Sequence, residues 1–406
     1  MWTRRASALL AGVAVFYLIG LSNTLFTAYF LAGAALAWLI AAWVITLRQG
    51  RRLVAARTLS SPRLYVGEPM EVTLRVDTGA APQTVTLRET VRNLTLGDQQ
   101  ELRWVCETTG EPTVMRDRVV PDHRGHQVFS GLVAEISDPL ALFRYRRQSP
   151  ETCNVIVYPK PIPLPHFPLH GLAALGLSTT RVDRRAGEMG DFYGVRPYQH
   201  GDELRHVHWK STAHSGRLAI KQYQHRATSA TVLYLDCQQP VHAAQGEHST
   251  LEQAVQAAAD LAGHVLEAGS PLRLVQAGAK IKIVPSDRGE RQLMKVLEVL
   301  ALAQADGEAP LSAVIAGDRE ARPEGGTVIA VTPGAHDELT RSLLGLRSRG
   351  ANLVVVMVPA HRYGGAADPE AASRMFGTLA SAGATVYLLE PGQKMAAVMR
   401  AGGLWH

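Results

Sequence analysis

Cysteine is scarce in this chain: Cys106, Cys153 and Cys237 are the only three among 406 residues. An odd set without metal-ligand spacing excludes a disulfide framework and suits a reducing compartment. There is no Gly-x-x-x-x-Gly-Lys phosphate loop, and Gly194, Gly201 and Gly216 do not make a dinucleotide fingerprint. No internal repeat and no long low-complexity tract appears. A strong excess of one charge is missing too: the formal charge is +6 and the pI about 9.3. Arginines beside two apolar runs account for much of that excess, where they would meet anionic headgroups. Basic residues from Arg181 to Arg226 are interleaved with Asp183, Glu188, Asp191, Asp202 and Glu203. A solvated or internally paired face explains them, and no nucleic-acid partner is expected.

What the chain does have is two long apolar stretches, Ala6 to Leu21 and Leu25 to Leu47, joined by Ser22-Asn23-Thr24. A helix needs about 20 apolar residues to cross the hydrocarbon core, so the pair reads as a transmembrane helical hairpin over residues 1–50. Trp38 and Trp43 lie toward one end of the second helix, where aromatics anchor at the interface. Arg4 and Arg5 precede the first helix; Arg48, Arg51, Arg52 and Arg57 follow the second. Positive residues stay inside, which places both termini and the soluble domains in the cytoplasm at the inner (plasma) membrane. A signal peptide is the competing reading, but Leu21-Ser-Asn-Thr-Leu offers no small-x-small cleavage site.

Residues 58–158 alternate with period two, as in Met70-Glu-Val-Thr-Leu-Arg-Val76, and turns recur at Gly67, Gly79, Gly97 and Gly110. The pattern predicts an immunoglobulin-like β-sandwich. Asp138-Pro139 opens a short excursion; Asp138 is expected to cap a turn, with Leu142 and Phe143 plugging the sandwich end. Five prolines, from Pro159 to Pro168 inclusive, begin an extended linker over residues 159–185. From Thr231 onward strands and amphipathic helices alternate, which predicts a doubly wound α/β domain over residues 231–406.

Between these lies residues 186–230, holding Gly194-Val-Arg-Pro-Tyr-Gln-His-Gly-Asp-Glu-Leu-Arg-His-Val-His-Trp-Lys210. Pro197 and Gly201 mark a turn, and Asp202 stands where a helix N-cap belongs. A helix is expected from about Glu203 to Ala213, with Gly216 as its C′ residue. Such residues form either a self-satisfied polar brace or a partner-binding surface made of Arg196, Tyr198, Asp202, Arg205, Trp209 and Lys210. Arg, Tyr and Trp are the types enriched at binding hot spots.

The stretch Asp191 to His214 resembles the signature of the domain of unknown function 58 family. His123-Arg-Gly-His-Gln-Val-Phe and Asp138-Pro-Leu-Ala-Leu-Phe143 are similar to two further elements of that family. This chain has His208 and His214 where the family shows Asp before the Trp and Arg after the Ala. The α/β domain resembles the von Willebrand factor A fold. The resemblance implies a membrane-anchored interaction or assembly module, companion to a MoxR-type AAA+ ATPase and to a transglutaminase-like membrane protein. On that reading the ATPase supplies the energy, in keeping with the missing phosphate loop here.

Metal-binding A domains resemble Asp-x-Ser-x-Ser after the first strand. Here Asp236-Cys-Gln-Gln-Pro240 keeps the Asp but has Gln238 and Pro240 in place of both serines. Hard cations need several oxygen ligands, so Asp236 is a weak metal candidate and a strand-end acceptor instead. His206, His208 and His214 lack His-Glu-x-x-His spacing for zinc. No cofactor is expected. The alternative is an enzyme or metal-dependent binding protein that uses His208 or His200 as base, Asp202 as orienter, or the degenerate site at Asp236.

Overall fold

The computed structural model describes residues 2–23, 26–79, 82–165, 191–199, 206–224, 230–244, 249–318, 320 and 325–400. The chain is mixed α/β with many strands and two N-terminal apolar helices, and it divides into two compact units. The first comprises Met1–Ile162, His242–Ala259 and Met294–Asp306; the second comprises Pro163–Val241, Asp260–Leu293 and Gly307–His406.

The first unit begins with α1 (Arg4–Asn23) and α2 (Phe26–Arg52), both long and apolar enough to cross a membrane. At 1.5 Å per residue α1 extends ~30 Å, about the thickness of a hydrocarbon core. Ten strands follow: β1 (Val54–Leu59), β2 (Arg63–Tyr65), β3 (Met70–Asp77), β4 (Gln83–Asn93), β5 (Gln99–Thr108), β6 (Thr113–Val119), β7 (Gly125–Phe129), β8 (Val133–Ser137), β9 (Arg144–Gln148) and β10 (Cys153–Tyr158). One sheet has the order β1-β3-β6. The other runs β2-β10-β7-β4-β8-β9, with β5 paired to β4. Pairing is antiparallel except between β2 and β10. Val72, Leu74 and Val76 of β3 join Val85, Leu87 and Val91 of β4 in one core shared by the two sheets. Alternation along each strand produces this, because every second side chain faces inward.

That alternation also carries a charge inside. Glu89 takes an inward slot of β4 and pairs with Arg57 of β1, whose guanidinium lies 5.1 Å from the centre of the Phe129 ring. Both side chains are almost wholly buried, at 2% and 0% exposure. At its far end α2 lies against β9: Arg147 Nη1 donates to the Arg51 carbonyl at 3.1 Å. A Cβ on Gly50 would overlap the ring of Tyr145, so the close approach requires glycine there.

Asp138 does cap its turn, accepting the N–H of Leu140 at 3.0 Å and of Phe143 at 2.6 Å. Leu142 and Phe143, however, do not plug the core between the sheets. They are buried with Ala6 of α1 and Leu39 of α2, because the turn projects toward the two apolar helices.

The second unit holds a six-stranded sheet. Its strands are β13 (Thr231–Asp236), β14 (Leu272–Ala277), β15 (Ile281–Asp287), β16 (Thr327–Thr332), β17 (Asn352–Met357) and β18 (Thr385–Leu388). A two-stranded pair, β11 (Asp191–Pro197) and β12 (Ala219–Gln224), precedes it, with α3 (Trp209–Ser215) between them. The remaining helices are α4 (Thr250–Glu267) and α5 (Gly289–Ala301), each divided between the two units, and α6 (Leu311–Gly317), α7 (Asp337–Ser348), α8 (Pro369–Ser381) and α9 (Met395–Arg400) of the second. Sheet order is β15-β14-β13-β16-β17-β18, parallel except for the β14–β15 hairpin. Every residue of β13, β14 and β16 is buried, as expected of parallel strands covered on both faces. On one face Val232, Tyr234, Val328 and Val355 pack with Leu311, Leu343 and Leu379 from α6, α7 and α8.

Candidate functional site

The signature segment is built around the start of β12. β11 pairs with β12 antiparallel, setting Arg196 opposite Ile220 and Pro197 opposite Ala219. The Tyr198 N–H donates to the Leu218 carbonyl at 2.8 Å, continuing the pairing past Pro197. Val207 forms an isolated bridge to Ile220, and the His208 N–H donates to the Ala219 carbonyl at 2.8 Å. Val207, Ala219 and Ile220 are buried.

The expected helix from Glu203 is therefore corrected. Among the described residues it begins at Trp209, because Val207 bridges to Ile220 and His208 caps the helix; residues 203–205 lie outside the described residues. His208 is that cap: its Nδ1 accepts the Ser211 N–H at 3.3 Å and lies 2.8 Å from Ser211 Oγ. Gly216 ends the helix at φ +66, donating to the Thr212 carbonyl, as its C′ assignment predicted. Thr212 Oγ1 accepts the Ala219 N–H at 3.1 Å and so ties α3 back to β12.

Of the candidate contacts, Arg196 donates from Nη1 to the Pro197 carbonyl at 3.1 Å. Tyr198 is half-buried and Lys210 exposed. Trp209 is 69% exposed, and no residue of α3 is buried. Asp202, Arg205 and His200 lie outside the described residues. Thus Trp209 and Lys210 share the outer first turn of α3, with Arg196 and Tyr198 on the adjoining strand end. His208, a candidate base, is engaged in capping.

A second location is the carboxyl end of β13, where the chain runs outward to β14 and returns on the other side as β16. Ligands in open α/β sheets gather at such switch points. Asp236 ends β13 and Thr332 ends β16, and the Thr332 hydroxyl donates to Asp236 Oδ2 at 2.7 Å. Asp236 Oδ1 accepts the Gln238 N–H at 3.1 Å. Burial pushes the Asp236 carboxyl above the ordinary carboxylate range, against the opposing pull of Thr332, Gln238 and His336. Among the described residues no three His, Cys, Asp or Glu side chains converge.

Sequence reasoning missed Arg124, a buried side chain of the first unit that makes five hydrogen bonds. Its Nε and Nη2 bind the Glu252 carboxylate at 2.9 and 2.7 Å. Nη1 reaches the carbonyls of Leu300 and Ala301, and Nη2 that of Ala303, at 2.7, 2.8 and 3.0 Å. All its donors are spent on one carboxylate and the orphan carbonyls at the end of α5. Gly125 beside it sits at φ +125, where a Cβ would come within 2.6 Å of Asn93 Oδ1. The Arg-Gly pair in His123-Arg-Gly-His126 was its signal. In the second unit Arg273 and Tyr234 both bond Asp318, at 2.5 and 2.9 Å. Burial alone would raise the Asp318 carboxyl, but these bonds outweigh it and hold it below the ordinary value.

Residues 194–357 match the family described as protein of unknown function DUF58. Over 171 residues the chain is 26% identical to the uncharacterized protein YeaD of Bacillus subtilis (strain 168), covering 40% of this chain. It spans 38% of that relative's length. Both matches support the DUF58 resemblance drawn from the Asp191–His214 motif. Among solved structures, proximal thread matrix protein 1 from the mussel byssus is 13% identical, with a TM-score of 0.31 over 43% of this chain and 46% of that one. A CARDB domain from Pyrococcus furiosus, in complex with di-metal ions, is 12% identical, with a TM-score of 0.20 over 27% of this chain and 96% of that one. Likenesses this remote carry no argument about fold or function.

Proposed function

We propose that this chain is a membrane-anchored interaction and assembly module without catalytic activity of its own, partnered by a MoxR-type AAA+ ATPase. A transglutaminase-like membrane protein is a further companion on this reading. α1 and α2 anchor the chain, and the flanking arginines orient both termini and the soluble units toward the cytoplasm. Two sheets around one core support an immunoglobulin-like sandwich in the first unit. The parallel sheet, with Asp236 at its switch point, supports a von Willebrand A-like domain in the second.

The observation that carries the docking role is Trp209. An indole 69% exposed, on a short helix with no buried residue, contributes little to its own unit's core. Its backbone is meanwhile pinned by His208, Thr212 and β12, so a partner would meet a pre-ordered anchor. Burying such a Trp at an interface is worth about 2 kcal/mol or more. The test is co-purification after crosslinking in native membranes, comparing the wild type with Trp209→Ala and Arg196→Ala. Recovery of the ATPase should fall about tenfold or more in Trp209→Ala, with folding unchanged. Unchanged recovery refutes the docking assignment. The meeting of Asp236 with Thr332 favours one alternative, a metal-dependent binding site of A-domain type. Loss of the partner in Asp236→Ala, but not in Trp209→Ala, would favour that alternative.

A further inference from the structure

The turn Asp138–Phe143 is held against the first turn of α1. The Thr3 N–H donates to the Leu142 carbonyl at 3.1 Å, and Thr3 Oγ1 lies 2.9 and 2.8 Å from the carbonyls of Ala141 and Leu142. Trp2 bridges Phe143 through the backbone, and their rings meet edge to face at 5.4 Å. Leu142 and Phe143 are buried with Ala6 and Leu39, and Ala42 packs on the same cluster. Ala141 is held at φ +54, a left-handed conformation that side chains larger than glycine rarely adopt. The clamp on its carbonyl and the Asp138 cap keep it there.

This strained arrangement leaves two large apolar side chains facing outward. Leu140 is 53% exposed and Trp2 56% exposed. Arg4 and Arg5 stand exposed beside them. The depth of the turn follows from α2. Exposed apolar side chains on that helix continue past Leu39 to Trp43 and Ile45, and the first charge after them is Arg48. The apolar belt of α2 thus reaches at least one turn beyond the level at which the Asp138–Phe143 turn packs.

We propose that Leu140 and Trp2 form a lipid-binding surface that enters the acyl boundary of the bilayer, with Arg4 and Arg5 meeting anionic headgroup phosphates. The inference rests on the reading of α1 and α2 as membrane-spanning. Trp favours the interface, and arginine stems run along apolar surface while the guanidinium reaches the headgroups. On this view the Asp-Pro-Leu-Ala-Leu-Phe sequence is an interfacial foot of the first unit rather than an internal turn.

The test uses the full chain in nanodiscs of phosphatidylcholine with phosphatidylglycerol. Cys153→Ser removes the one half-exposed thiol among the described residues, since Cys106 and Cys237 are buried. A nitrobenzoxadiazole probe is then placed at Leu140→Cys, or at Leu31→Cys, an exposed position within the apolar run of α2. Both probes should be quenched by doxyl-labelled lipid and shielded from iodide. If the probe at 31 is lipid-quenched while that at 140 meets only iodide, the foot is refuted and the span stands. If neither is lipid-quenched, the membrane reading fails with it. Omitting phosphatidylglycerol, or replacing both Arg4 and Arg5 by Gln, should lower lipid quenching at 140 about twofold or more. No change there refutes the headgroup contact.

Discussion

Removing Glu89 would leave the Arg57 guanidinium buried between two sheets with the Phe129 ring for company. Arg57 Nε and Glu89 Oε2 find no hydrogen-bond partner among the described residues, so the pair depends on its single direct bond and its mutual charge. With exposures of 2% and 0%, solvent cannot screen either group. Breaking such a pair from one side costs about 3–5 kcal/mol, because an uncompensated charge stays in the core. Replacing both partners with apolar residues of similar volume is about neutral, or stabilising by about 1–4 kcal/mol. Glu89→Leu and Arg57→Met should therefore each destabilise strongly, while the double variant recovers wild-type stability or exceeds it. Hydrogen–deuterium exchange of β3 and β4 amides in the detergent-solubilised chain reads the opening free energy of that core. If the double variant loses the sum of the single losses, the two charges do not compensate each other and the reasoning fails. Single losses below about 1 kcal/mol would mean that water reaches the pair.

Two further outcomes follow from the polar geometry. Arg124→Lys cannot reproduce the forked contacts to Glu252 and three carbonyls, since lysine is a point charge with three donors. Amides at the end of α5 should then exchange at least about tenfold faster, a loss of about 1.4 kcal/mol or more; rates equal to wild type would show that Arg124 is dispensable. Asp236 gives a pH signature: its folded pKa is raised, so its contribution to stability is fullest below the ordinary value of about 3.9 and is lost as pH rises through the folded pKa. Urea midpoints should show the wild type losing ground to Asp236→Asn as pH rises above the ordinary carboxylate value, and a flat difference would refute the assignment.

Much of the second unit was legible because apolar runs and helical periods alternate cleanly after Thr231. The apolar runs Val328–Val331 and Leu353–Val358 read as strands, and they fall within a residue or two of β16 and β17. Boundaries set by distant partners were not legible. Asp202 looked like a cap by local chemistry, yet the described helix starts at Trp209 because Val207 pairs with Ile220 across the later strand. The fate of Leu142 and Phe143 depended on contacts with Ala6 and Leu39, more than 100 positions away in sequence. Arg124 could be noticed as a motif residue, but its carboxylate and carbonyl partners lie 128 to 179 positions on. Glu89 was open to inference, since strict alternation assigns it an inward slot. Its partner Arg57 was counted instead among the charges beside the membrane. Trp209 and Lys210 are placed by the structure, whereas the partner they would meet is written nowhere in this one chain.

α2 runs without a break from Phe26 to Arg52, and β1 begins at Val54. With Gly50 seated on Tyr145, no slack separates the helix from the sheet it enters. If the helix crosses a bilayer, the first unit is mounted as on a rigid mast rather than a tether. Its azimuth about the membrane normal is then set by the roll of α2, and any twist applied to that helix in the lipid is delivered undamped to the strands.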